Sequence, residues 1–185
     1  MKNLYILDFD HTIVPYDSFR KYLIWLIKKG NCIIFLFLLL RLSRLISSSK
    51  MKELVEKKVG KSERMQRQTS IFVNKIKQDI VWPQSLQGKI ADFSSKDIVI
   101  VLSASPECYM NKLFLEINSN VVTPVLTVGS RFVNERYIEM YGKEKLKYIT
   151  STFPTSEYNY MYAVSDSESD LCWMELFLQH EIKKI

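Results

Sequence analysis

Ile6-Leu7-Asp8-Phe9-Asp10-His11-Thr12-Ile13 decides how the rest of the chain is read. The stretch begins in an apolar run, Leu4 to Leu7, and ends in two carboxylates one residue apart. A short apolar run bounded by polar residues predicts a buried strand. Strand alternation puts Asp8 and Asp10 on one face and Phe9 on the other. In an open parallel sheet the functional crevice lies at the carboxyl ends of the strands, which is where these acids fall. Two carboxylates held close repel, so one takes up a proton more readily or a cation sits between them. An oxygen-rich pair of this kind suits Mg²⁺. The plainer alternative is an ordinary strand end with two solvated acids.

The same reading extends along the chain. After Thr12 the pattern becomes helical, with Asp17 or Ser18 as N-cap and Gly30-Asn31 as the stop. Cys32 to Leu42 is apolar except for Arg41. As a helix this run reaches ~16 Å, against a hydrocarbon core of ~30 Å, so it is too short to span a membrane. A helical hairpin with an apolar tip, packed on the protein or dipped into a bilayer surface, is the remaining reading. Further helices are predicted over Lys50 to Val59 and from Ser62-Glu63 onward, and Trp82-Pro83 marks a boundary. From Pro83 an α/β pattern follows. It comprises a helix from Leu86 to Phe93, a strand from Ile98 to Leu102, and a helix after Pro106 capped by Ser105. Strands Val121 to Val128 and Arg131 to Met140 meet at a hairpin about Gly129-Ser130. A helix carrying Lys145, a strand from Tyr160 to Val164, a helix from Ser169 to Leu178 and an edge strand from His180 to Ile185 complete the pattern.

Three further stretches stand out: Val99-Ile-Val-Leu-Ser103-Ala104-Ser105-Pro106, Gly142-Lys-Glu-Lys145, and Ala163-Val-Ser-Asp166-Ser-Glu-Ser-Asp170. With Asp8-Phe-Asp10-His-Thr12 they resemble the four motifs of the haloacid dehalogenase-like hydrolases, in the branch of phosphoserine phosphatase-like enzymes. The resemblance runs from Leu4 to about Leu178. It implies an α/β fold: a Rossmann-like parallel sheet core from residues 1–14 and 81–185, with an all-helical cap at 15–80. It also implies a Mg²⁺-dependent phosphomonoester hydrolase that works through an aspartyl-phosphate on Asp8. Asp10 is then the acid and base, Ser103 and Ala104 with Lys145 hold the phosphate, and Asp8, Asp10 and Asp166 bind the metal. Asp170 and Thr12 support the site. Lys143 and Lys147, which flank Lys145 two residues to either side, are read as surface charges. Ser165 stands where the resembled motif has glycine, and His11, where a small residue is frequent, is read as an exposed loop side chain.

The 185 residues carry 26 Lys or Arg and 20 Asp or Glu, a net +6. Residues 41–77 hold eleven bases and three acids, so +8 sits there and the remainder is slightly acidic. Such a stretch suits phosphates, anionic lipid or nucleic acid, or is no more than a solvated helix face, the commoner case. Two further readings follow: the same chemistry on a lipid-linked or membrane-associated phosphate, or a non-catalytic module that binds through the basic cap. The expected substrate is a small-molecule phosphate ester. Nothing resembles an RNA-recognition motif, so no nucleic acid is expected. Cys32, Cys108 and Cys172 are scattered, which predicts free thiols and no zinc site. No leader precedes the first strand, so a cytoplasmic protein is expected, with peripheral membrane contact through the apolar cap helices as the open variant.

Overall fold

The computed structural model describes residues 1–86, 93, 96–118 and 125–183. A six-stranded sheet is ordered β4-β3-β2-β1-β5-β6. Its strands are β1 (Lys2–Leu7), β2 (Asp97–Pro106), β3 (Val125–Val133), β4 (Arg136–Ile138), β5 (Tyr158–Ser165) and β6 (Gln179–Ile182). All neighbours are parallel except β3 and β4. The chain builds outward from β1 through β2 and β3, then returns to lay β5 on the other side of β1. That reversal makes the crevice at the carboxyl end of β1 a topological switch point.

Alternation along β1 and β2 divides the interior. Leu4, Ile6, Ile100 and Leu102 face one core with α6 (Lys143–Thr152) and α7 (Leu171–Met174). Leu7, Phe9, Val99 and Val101 face the other with α5 (Glu107–Asn118). Between β1 and β2 lie α1 (Ser18–Lys28), α2 (Cys32–Leu42), α3 (Ser48–Gly60) and α4 (Glu63–Ile76). They share the second core with the sheet: Tyr22, Val55 and Phe72 belong to the same apolar cluster as Leu7 and Val101. Tyr22, Phe72 and Tyr109 form a mutual aromatic contact from α1, α4 and α5, with centroids 4.9 to 5.8 Å apart. Side-chain caps start three of these helices: Asp17 receives Arg20 N–H, Ser47 receives Lys50 N–H and Ser62 receives Met65 N–H. No helix among the described residues is long and apolar enough to cross a membrane.

Several expected boundaries move. The β3–β4 hairpin turns at Asn134 and Glu135, both at positive φ, and not at Gly129-Ser130. Two left-handed residues form the tight turn that matches strand twist, here without glycine. Gly129 lies inside β3 for a different reason: a Cβ there would meet the Ser105 carbonyl oxygen at 2.5 Å. Strand β2 runs on to Pro106, so Ser105 is a strand residue and no helix cap. The helix expected from Ser169 to Leu178 is shorter, a 3₁₀ turn at Glu168–Asp170 followed by α7. The interior of the helix expected over Leu86 to Phe93, and the part of the Val121 strand before Val125, lie outside the described residues.

Glu56 on α3 carries a buried Oε2 with no hydrogen-bond partner among the described residues. Burial, reinforced by the Glu107 charge, pushes its carboxyl up to about 8. The folded state therefore holds a proton that the unfolded chain releases near 4.5, and stability falls as pH rises between those values. Glu56→Gln should raise Tm by roughly 2–8 °C near pH 9 and leave it almost unchanged near pH 5. Thermal melts of both proteins across that range check this; an equal shift at both ends would contradict it.

Candidate active site

The backbone of β1 delivers the first acid. Leu7 pairs with Val101 of β2 and Val164 of β5, and Asp8 N–H continues the ladder to the Val164 carbonyl at 2.8 Å. Asp8 is thus held at the strand end, 6% exposed. The turn that follows is drawn tight by three N–H donors, from Thr12, Ile13 and Val14, to the Phe9 carbonyl. His11 takes φ 54° within it.

Lys145 reaches the same point from α6. Gly142 caps that helix at φ 50° and ψ −113°, a conformation that glycine adopts without a steric penalty. One turn on, Lys145 is 2% exposed, and its Nζ donates to Asp8 Oδ1 at 2.7 Å and to Asp170 Oδ2 at 2.6 Å. Lys143 and Lys147 are exposed. Burial would lower the Lys145 pKa, but the Asp8 and Asp170 charges outweigh it and hold the ammonium above its usual value. Asp170 also receives the Ser165 hydroxyl at 2.8 Å, and Ser165 accepts Ser167 N–H. Ser165 is absent from the positive-φ residues, so the position needs no glycine. Its hydroxyl ties Asp170 in place.

Asp10 is held on the other side. Its Oδ1 accepts Ser18 N–H from the start of α1 at 2.8 Å, and its Oδ2 accepts the Ser105 hydroxyl at 2.5 Å. Ser18 Oγ lies 3.2 Å from Ser105 Oγ and 2.7 Å from the Tyr109 hydroxyl, so three hydroxyls form a chain ending on Asp10. Ser103 Oγ accepts Ser105 N–H at 3.1 Å, which leaves its own hydrogen to donate elsewhere. The Ala104 carbonyl is gripped twice, by Ser130 Oγ at 2.8 Å and by Lys52 Nζ at 3.0 Å. Lys52 comes from α3 and also pairs with Glu139 at 2.6 Å.

Burial raises three carboxyl groups here. Asp8 goes up to about 7; Lys145 pulls against burial, while Asp170 and Asp10 add to it. Asp10 is raised by burial although Ser105 and Ser18 stabilise its anion. Asp166, following β5, is raised by burial and drawn back down by His11 and Lys145. His11 is half-buried, its buried Nδ1 has no hydrogen-bond partner among the described residues, and it is no exposed loop side chain as the sequence suggested. Thr12 is fully buried; its side-chain oxygen has no partner among the described residues, and its carbonyl accepts Lys183 Nζ at 2.8 Å. Asp17 is exposed and caps α1.

Among the described residues no three His, Cys, Asp or Glu side chains converge as a metal-binding group. The expected donor set asks less: two carboxylates, Asp8 and Asp166, and the Asp10 carbonyl. The site fits a hard divalent cation on charge and donor chemistry. Asp8 and Asp170 contact Lys145, Asp166 lies near it, Asp8, Asp10 and Asp166 are pushed up by burial, and Asp170 Oδ1 is buried without a partner among the described residues.

Strand alternation brought out Asp8 and Asp10, and the family resemblance Ser103, Lys145 and Asp170; the fold gathers them at one sheet end. The sequence reading missed Ser105, although period two from Ser103 puts both on one strand face. It also missed Ser18, Tyr109 and Lys52. Lys52 is one base among eleven in its stretch, with nothing local to single it out.

The family model for haloacid dehalogenase-like hydrolases matches residues 5–175. None of the curated proteins compared matches the chain. Among solved structures, a protein of unknown function from Bordetella pertussis Tohama I is similar at 13% identity and TM-score 0.57, over 97% of this chain and 89% of that one. The HAD domain of the Legionella pneumophila effector protein Lem4, an inactive mutant, is similar at 14% identity and TM-score 0.53, over 100% and 86%. A phosphoserine phosphohydrolase-like protein from Francisella tularensis follows at 15% identity and TM-score 0.51, over 95% and 82%. At these identities the structures speak for the fold, and the family model covers almost the whole chain: the protein belongs to the haloacid dehalogenase-like hydrolases.

Proposed function

We propose that the protein is a phosphomonoester hydrolase in which Asp8 is the nucleophile, with residues 15–80 as the cap that selects the substrate. The observation that carries this reading is the buried Lys145 ammonium held between Asp8 and Asp170 at the carboxyl end of the central strand. Phosphoryl transfer needs a nucleophile, a proton donor for the leaving oxygen and positive charge around the transferring group. Asp8, Asp10 and Lys145 match those needs in turn.

Asp8 attacks phosphorus, and the bond from phosphorus to the ester oxygen breaks. Asp10, whose carboxyl is raised by burial, gives its proton to that oxygen. Asp10 then takes a proton from water as the water oxygen attacks the aspartyl-phosphate, which releases inorganic phosphate and restores Asp8. The Ser18 and Ser105 donors keep Asp10 aimed through both steps. Ser103 and the Ala104 N–H, with Lys145, bind the phosphoryl oxygens. Asp170 and Ser165 fix the lysine, and Thr12, buried within the turn after Asp10, supports it. Asp8, the Asp10 carbonyl and Asp166 would hold magnesium, which when bound neutralises charge on the phosphoryl group.

Asp8→Asn should reduce Mg²⁺-dependent hydrolysis of an aryl phosphate to background and abolish a hydroxylamine-labile phosphoprotein. Asp10→Asn should cost about 10²–10⁴-fold in kcat. Steady-state kinetics and phosphoprotein trapping read both. Absence of turnover by the unmodified chain on a phosphomonoester panel would favour a binding module instead.

Lys52 is a positioning residue in this reading: it ties α3 to the Ala104 carbonyl and so holds the end of β2 whose N–H groups would meet phosphate. Lys52→Met should raise KM and the inhibition constant for inorganic phosphate roughly tenfold, as loss of a charged hydrogen bond would. The kcat should hold and Lys52→Arg should recover most of the loss. A fall in kcat with KM unchanged would contradict the assignment.

A further inference from the structure

Helix α2 turns its apolar side the wrong way for a core helix. Cys32, Phe35, Leu36, Leu39 and Leu42 recur at helical spacing and are all exposed, while Ile34 is its one buried residue. Phe35, Leu36, Leu39, Leu42 and the following Leu45 are each 45% to 72% exposed. A contiguous stripe of large side chains in water is costly, and it marks a surface that something covers.

Charge says what kind of surface that is. No acid stands between Asp17 and Glu53 in the sequence. Lys28 and Lys29 precede α2, Arg41 lies in its last turn and Arg44 follows it. Lys28, Arg41 and Arg44 form no ion pair with an acid among the described residues. Both ends of the stripe are therefore rimmed by cations. A second copy of the chain would bring like charges together at that rim, with no acid in the segment to answer them. A bilayer with anionic headgroups answers both features: acyl chains take the leucines and phenylalanine, and headgroups take the bases. At eleven residues the helix suits lying in the interface plane, not crossing it.

We propose that α2 with Leu45 is a membrane-docking face that seats this protein on an anionic bilayer. The proposal does not depend on the catalytic reading, because the face can dock whether or not Asp8 turns over phosphate.

Vesicle flotation tests it, with phosphatidylcholine liposomes alone and with phosphatidylglycerol added. The full chain should float with the anionic liposomes and much less with the neutral ones. Leu36→Ser with Leu39→Ser should weaken that binding about a hundredfold, while the melting temperature and far-UV circular dichroism stay unchanged. Arg41→Gln and Arg44→Gln should each weaken it about fivefold. Failure to float with either liposome overturns the proposal. So does flotation that the leucine substitutions leave intact. A self-associating protein that the same substitutions render monomeric, with no flotation, assigns the face to a second copy and equally overturns it.

Discussion

A lysine ammonium sealed between two carboxylates is the constraint on which this protein's site depends. Removing ions from water is expensive, and the attraction between them offsets that cost where geometry is good and the remaining lone pairs are satisfied. Lys145 meets Asp8 and Asp170 at hydrogen-bond distance, and Ser165 adds a donor to Asp170. The account still closes one charge short, since two acids face one base and Asp10 and Asp166 stand nearby. Burial pushes the Asp8 carboxyl up, Lys145 draws it back down, and the Asp170 and Asp10 charges oppose that pull. A site so built is stable with protons on some acids, or with a further cation among them.

The sheet supplies the rigidity this cluster needs. Asp8 is fixed by a ladder bond to β5, Asp170 follows β5 through a short 3₁₀ turn, and Lys145 rides the first turn of α6. Three elements far apart in sequence therefore converge through backbone geometry, and the Lys145 side chain closes the last gap. The helical insertion is built into the same scaffold. It contributes Ser18 to Asp10 and Lys52 to the Ala104 carbonyl, and it shares its apolar cluster with one sheet face. Motion of these helices would strain both polar ties and open a shared core.

Much of this was legible in the chain because local signals agreed with the fold. Alternation in β1 separates Asp8 from Phe9, and Gly142 foretells the helix that carries Lys145. The misreadings came from signals with two physical causes. Gly129 looked like a turn residue, but close approach of the Ser105 carbonyl explains it, while the real turn uses Asn134 and Glu135. Ser105 before Pro106 looked like a cap, but the strand runs on and its hydroxyl goes to Asp10. Lys52, Ser18 and Tyr109 act through tertiary contacts, and no spacing in one sequence encodes those.

A crystal structure of the protein grown with Mg²⁺ and beryllofluoride, a mimic of the acyl phosphate, tests the central claim most directly. The account predicts beryllium bonded to an Asp8 carboxylate oxygen, with Lys145 and Ser103 on its fluorides and a metal ion touching Asp8 and Asp166. Beryllofluoride bound elsewhere, or Lys145 turned away from an unmodified Asp8, would contradict it.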